Sequence, residues 1–330
     1  MSAGKILVVR GGAIGDFILT LPVFAALREQ FPSAHLEVLG YAHIASLAKA
    51  AGLVDGVRSI EARPLAAFFA RNGSLEKSLQ EFFAGFSIII SYLYDPDGIF
   101  QANVARCSKA QFIVGPHRPN DSARIHATEV LLKPLERLAI FAADSTPRLH
   151  MGPVRARSAF PLPEGEGQVE GEEQVLQSMR HSSRGGSWLA VHPGSGSESK
   201  NWLEAKWAAA LSQLASESDL KFLLIGGEAE AGKAERLAAK LPRHRVDLAQ
   251  NLPLTDLAAR ISSCAAFVGH DSGITHLAAA LGLPIVALWG ESAEDVWKPK
   301  GAKISLVKEE NGLSALSVER VARAVWTVLP

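Results

Sequence analysis

The sequence predicts an α/β fold in two halves, each a parallel sheet covered by helices, with a ligand held between them. Three observations lead there. Short β-branched runs alternate with helical patterns along all 330 residues, a length that suits about two domains. A stretch dominated by Pro, Gly and Glu, residues 160–173, divides the chain. Each half also contains a strand that stops at a glycine-containing turn and restarts as a helix: Arg10-Gly11-Gly12-Ala13-Ile14-Gly15-Asp16 in the first, His270-Asp271-Ser272-Gly273 in the second. Such a turn aims free backbone N–H groups and the positive end of a helix dipole at one point, where an anion can sit.

In the first half, strands are expected at 5–10, 35–39, 57–60, 87–91 and 112–115. Between the first two, residues 16–30 carry Phe17, Leu21, Phe24, Ala25 and Leu27 close to helical spacing, with Pro22 tolerated in the first turns. In the second half, strands are expected at 187–191, 222–225, 246–248, 266–268, 285–288 and 304–307. Helices fall at 204–216, 228–240, 255–262, 274–281 and 293–296. A terminal helix starts from a Ser317 cap, with Glu319 in its first turn and an apolar face of Val318, Val321, Ala322, Val325 and Leu329. The domains expected are 1–158, a linker or insertion at 159–186, and 187–330.

Lys plus Arg and Asp plus Glu each number 34, so the formal net charge is zero and nonspecific attraction to nucleic acid is not expected. Hydrophobic residues make up 48%, enough for a large core, yet no run approaches the ~20 apolar residues of a membrane span. The opening run 5–10 is too short for the core of a signal peptide. Cys107 and Cys264 lie far apart without metal-ligand spacing and read as free thiols in a reducing cytosol.

Four places carry polar chemistry, and each has a plain structural reading beside the functional one. Gly12 and Gly15 permit close approach of a ligand to backbone; Asp16 is either a helix N-cap or a general base facing a cleft. The loop from His192 to Trp202 holds Ser195, Gly196, Ser197 and Lys200, either a solvated loop or a phosphate cradle; Trp202 and Trp207 pack as helix anchors. Glu228, after a strand and two glycines, suits a ribose diol or simply a helix first turn, and Asn251 with Leu252 would wall an adenine. Asp271, Ser272, Gly273 and His276 are either a cap and a packed histidine or a ligand site. His117, Arg118, Arg124, His126 and Lys133 form a basic cluster that, facing the cleft, would suit an anionic glycolipid. No zinc-type spacing occurs, and Asp95-Pro96-Asp97 is a poor holder of a metal–diphosphate.

Residues 5–22, with Gly12-x-x-Gly15-Asp16 and Leu19-Thr20-Leu21-Pro22, resemble the opening of glycosyltransferase family 9, the ADP-heptose:lipopolysaccharide heptosyltransferases. So do His192-Pro193-Gly194 through Lys200-x-Trp202, and Asp271-Ser272-Gly273-x-x-His276-Leu277-Ala278. The combination and order are specific, whereas residues 40–185 match poorly and serines stand where many relatives carry threonines. The resemblance implies the GT-B fold, two Rossmann-like domains facing across a cleft, with the donor on the second domain and the terminal helix at 317–329 crossing back onto the first. It implies inverting, metal-independent transfer of heptose from ADP-heptose to an inner-core acceptor, with no cofactor. Peripheral contact with the cytoplasmic face of the inner membrane goes with it.

By position, Asp16 would be the base, with Gly12, Gly15, Arg118 and Arg124 on the acceptor side. Lys200, Ser195 and Ser197 would hold the diphosphate, Gly273 would add N–H donors, Asp271 would contact heptose and Glu228 the ribose. The alternatives are another nucleotide sugar or acceptor, a noncatalytic nucleotide-sugar-binding protein, or an NAD-dependent dehydrogenase; the absent Gly-x-Gly-x-x-Gly argues against the last.

Overall fold

The computed structural model describes residues 4–151, 187–227 and 232–330. The divider expected at 159–186 therefore lies outside the described residues. So does Glu228.

The first half is a five-stranded sheet in the order β3-β2-β1-β4-β5. Its strands are β1 (Lys5–Arg10), β2 (His35–Gly40), β3 (Gly56–Ser59), β4 (Ile88–Ser91) and β5 (Gln111–Val114). The second half is a six-stranded sheet in the order β11-β10-β9-β6-β7-β8. Those strands are β6 (Trp188–His192), β7 (Lys221–Gly226), β8 (Val246–Gln250), β9 (Ala266–His270), β10 (Ile285–Leu288) and β11 (Ile304–Val307). Every recorded pairing is parallel. Buried on both faces, the central strands read as continuous apolar runs such as Ile6-Leu7-Val8-Val9.

Each sheet reverses direction next to its first strand, between β1 and β4 and between β6 and β9. In open α/β sheets ligands bind beyond the carboxyl ends of the strands at that reversal. The ends of β1 and β9 are where the two glycine turns lie.

The covering helices of the first half are α1 (Ile14–Gln30), α2 (Ala42–Ala50), α3 (Lys77–Ala84), α4 (Ile99–Ala105) and α5 (Ala127–Leu132). Those of the second are α6 (Glu204–Glu217), α7 (Lys233–Ala238), α8 (Leu254–Ser262), α9 (Gly273–Ala280), α10 (Glu294–Trp297) and α11 (Val318–Val328). The two halves meet where α1 packs on α9 and α2 on α8. One apolar cluster is continuous across that seam, joining Phe17, Ile18 and Ile44 to Leu257, Ile274 and Leu277. The chain reaches the second half by Leu149, whose N–H donates to the Ala280 carbonyl at 2.8 Å.

Three expectations are corrected here. The first helix starts at Ile14, not Asp16: Ala13 is the extended cap residue and Asp16 sits in the third helical position. Pro22 consequently falls in the third turn, buried in a helix that continues through it, at the cost of one backbone hydrogen bond. The terminal helix α11 begins after Ser317, whose hydroxyl accepts from the Arg320 N–H as expected, but among the described residues it packs within the second half and not onto the first. Its buried Val321, Ala322, Val325 and Val328 pack against α6 and strands β9–β11 within the second half.

Candidate active site between the halves

The turn after β1 brings Gly12 into a left-handed conformation, φ +99°, which glycine adopts without strain. Across the seam, α9 begins with Ser272 as its cap, its hydroxyl accepting the Thr275 N–H at 3.4 Å. Gly15 and Gly273 are where these two helix starts touch. A Cβ on Gly273 would lie 2.7 Å from the Gly15 nitrogen and 2.9 Å from the Ile14 Cβ. Two helix N-termini are thus held face to face because Gly273 has no side chain; a Cβ on Gly15 would lie at an ordinary 3.5 Å from Gly273 Cα.

A cleft of about 930 Å³ opens beside that contact. Gly12, Gly15, Asp16 and Arg118 line it from the first half, and Lys200, Asp271, Ser272, Gly273 and His276 from the second. Asp16 and Lys200, 184 positions apart, share one crevice. The Asp16 Oδ2 accepts the Ala13 N–H at 3.1 Å, the return half of a capping box. Its Oδ1 lies 3.5 Å from the Arg10 guanidinium. Opposite, the Lys200 Nζ donates to Asp271 Oδ2 at 2.6 Å, and the Ser292 hydroxyl donates to the same oxygen.

Three histidines underpin the second half's contribution. His270, fully buried, accepts the Trp202 N–H at its Nε2 over 2.8 Å, so its proton sits on Nδ1 facing the Gly194 carbonyl at 3.3 Å. That pair of bonds ties the loop 193–202 to the end of β9. The Trp202 and Trp207 rings pack edge to face at 5.3 Å, as anchors should. Burial pushes His270 and His276 down to about 4, and His192 to about 3, so all three are neutral at pH 7.

A second, smaller cavity of about 420 Å³ adjoins the first behind Gly15 and Gly273. Gly196, Gly226, Gly227, Asn251 and Leu252 line it, together with His192 and, from the first half, Ile44. Asn251 takes a left-handed φ of +49°, which asparagine tolerates better than most, and its N–H donates to the Gly226 carbonyl at 3.2 Å. The lining side chains are mostly aliphatic, which suits the faces of a flat heterocycle.

Not every expected residue joins these cavities. The Ser195 hydroxyl is buried and donates to the Ser197 carbonyl at 2.7 Å, so it braces its own loop. Ser197 is exposed and lines neither cavity. The basic cluster disperses. Arg118 stays on the cleft, 5.4 Å above the Trp297 ring, but Arg124 points away from it and pairs with Asp295 at 2.7 Å. His126 caps α5 and contacts the Lys298 carbonyl at 2.8 Å, and Lys133 pairs with Glu136 at 2.7 Å. Arg124, expected on the acceptor side, bridges the two halves outside the main cleft.

Sequence reasoning missed Arg10, Ser292 and Trp297. Arg10 had a visible signal, a charged residue ending an otherwise apolar strand. Ser292 and Trp297 had none, because their partners Asp271 and Asp121 lie far away in sequence.

Residues 155–322, just over half of the chain, match the family model "Glycosyltransferase family 9 (heptosyltransferase)". The chain belongs to glycosyltransferase family 9. It is 24% identical over 322 residues to lipopolysaccharide heptosyltransferase 2 of Salmonella typhimurium, spanning 92% of this chain and 88% of that one. In fold it is similar to the Escherichia coli ADP-heptose lps heptosyltransferase II, with a TM-score of 0.72 at 19% identity, covering 98% of both chains. It is similar also to an Escherichia coli heptosyltransferase solved with ADP, with a TM-score of 0.67 at 18% identity, covering 98% of this chain and 99% of that one. This family 9 member therefore has the two-sheet GT-B architecture of those enzymes and is a glycosyltransferase. Among the described residues no helix is long and apolar enough to cross a membrane, and no three His, Cys, Asp or Glu side chains group as metal ligands.

Proposed function

We propose that this protein transfers heptose from ADP-heptose to a lipopolysaccharide inner-core acceptor, with inversion and without a metal, at the cytoplasmic face of the inner membrane. The observation that supports it most is the shared cleft, where a carboxylate from one half faces a lysine and a helix N-terminus from the other.

The donor's adenine and ribose suit the smaller cavity between Gly226 and Leu252, and its diphosphate suits the junction where α9 begins. The acceptor hydroxyl attacks the anomeric carbon from the side away from the diphosphate. The bond from that carbon to phosphate oxygen breaks, and its electron pair leaves with ADP. Asp16 takes the acceptor proton as the new bond forms. Lys200 and the N–H groups around Gly273 stabilise the charge that grows on the departing ADP, more in the transition state than in the ground state. Asp271, held by Ser292, orients the sugar hydroxyls. A closed cleft keeps water from the donor.

A mass-spectrometric screen of ADP-, GDP- and UDP-sugars against heptose-deficient lipopolysaccharide tests this. The expected product gains one heptose from ADP-heptose alone. Transfer from another nucleotide sugar, or from none, overturns the reading. The comparison variant Asp16→Asn should lose about 10²–10⁴ in turnover while ADP binding persists.

A further inference from the structure

Arg10 is 3% exposed at the end of β1, where an apolar residue would continue the strand. One guanidinium nitrogen donates to the His117 carbonyl at 2.8 Å, and the other to the Asp16 main-chain carbonyl at 3.1 Å. The second nitrogen also stands 3.5 Å from Asp16 Oδ1. Its Nε has no partner among the described residues. The guanidinium also lies over the Tyr92 ring, 5.9 Å from its carbon to the ring centre, while the Tyr92 hydroxyl donates to the Leu131 carbonyl.

A buried charge costs several kcal/mol and is not kept for packing alone. Burial works against the charge of Arg10, and Asp16 is the first group that offsets it. The planar fork reaches two chain segments at once, the base on α1 and the loop beside Arg118, which a lysine point charge cannot do. Asp16 is thus held on two sides, by the Ala13 N–H at Oδ2 and by Arg10 at Oδ1, with its remaining lone pairs free to face the cleft.

We propose that Arg10 is a positioning residue that fixes the direction of the Asp16 carboxylate and the acceptor-side loop at His117 and Arg118 together. The inference rests on the reading of Asp16 as the base. It separates acceptor-side from donor-side effects. Losing Arg10 impairs turnover and acceptor use while the nucleotide, held by the other half, binds as before.

The test compares Arg10→Met, Arg10→Lys and Asp16→Asn in the full chain. Arg10→Met should lower kcat about 10²-fold, as misplacement of a reacting group by an ångström does. It should raise the acceptor KM, with ADP affinity by calorimetry unchanged. Arg10→Lys should recover part of kcat. Wild-type kcat and acceptor KM in Arg10→Met would overturn the proposal, as would a parallel loss of ADP binding. If Arg10→Met does not fold, Arg10→Lys decides: an unchanged kcat and acceptor KM overturns it. Full turnover in Asp16→Asn would instead remove the base assignment, a separate result.

Discussion

Asp16 and Asp271 stand at the starts of two helices that face each other, and each has a cation at hand. The cations differ. Arg10 is buried in the same half as Asp16 and is bolted to two main-chain carbonyls. Lys200 arrives from the loop after β6, with 43% of its side chain exposed on a flexible stem. A fixed fork suits a carboxylate that must keep one direction. A mobile ammonium suits the proposed move from Asp271 to an incoming diphosphate.

The largest effects should come from breaking either side of that comparison. Asp16→Asn should remove turnover and leave ADP affinity intact. Lys200→Ala should cost about 10²–10³ in kcat and weaken ADP binding as well, because in the proposed reaction the same cation serves ground state and transition state. Calorimetry with ADP beside steady-state rates separates the two; equal ADP affinities in both variants would mean that Lys200 does not meet the diphosphate.

The next break is mechanical. Gly273→Val places methyl groups against the Gly15 nitrogen and Ile14, backbone and β-branched atoms that cannot swing aside. The strain of overpacking, about 1–3 kcal/mol, falls on the seam between the halves. A lower Tm with a larger fall in kcat is expected. A Val variant with wild-type rate would show that the two helix starts need not touch during turnover.

The buried histidines of the second half set a pH window on stability, and burial lowers His126 of the first half in the same direction. His192 at about 3 and His270 and His276 at about 4 lie below their unfolded value near 6.5. The unfolded chain therefore binds protons that the folded chain refuses. Stability is full above about pH 6.5 and falls as pH drops toward 4, by up to about 1.4 kcal/mol per pH unit for each histidine. Denaturant melts from pH 7.5 to 5 should show that fall. His270→Asn, which keeps a side-chain acceptor for the Trp202 N–H, should flatten it by about a third; an unchanged slope would mean that His270 is not neutral as folded.

Much of this was legible in the sequence, for local reasons. All eleven strands of the described residues lie within two residues of their expected ends, because central parallel strands are plain apolar runs. The facing glycine turns were legible too, since an anion site needs small residues. What local pattern cannot carry is partnership. The apolar stripe of α11 announced a buried face but not the sheet that buries it. Ser195 has the chemistry of a phosphate ligand, yet its hydroxyl turns to the Ser197 carbonyl two residues away. An Asp near a helix start reads as a cap, and here it is the return half of a box whose cap position is Ala13.

Arg118 and Arg124 sharpen the comparison at its smallest scale. Six residues apart, they looked equally suited to an anionic acceptor. Only Arg118 lines the cleft, over the Trp297 ring. Arg124 is tied to Asp295 on the outer rim, where 79% of its side chain is exposed. An exposed ion pair contributes less than about 1 kcal/mol, so Arg124→Ala should leave stability and acceptor KM nearly unchanged. Arg118→Ala should raise acceptor KM severalfold without touching ADP affinity, since a charged hydrogen bond is worth roughly 1.5–3 kcal/mol where solvent is excluded and less at an open cleft. Acceptor titrations of both variants decide it. Equal KM values would mean that the anion is held elsewhere on the first half, and that proximity in sequence was the only thing the two arginines shared.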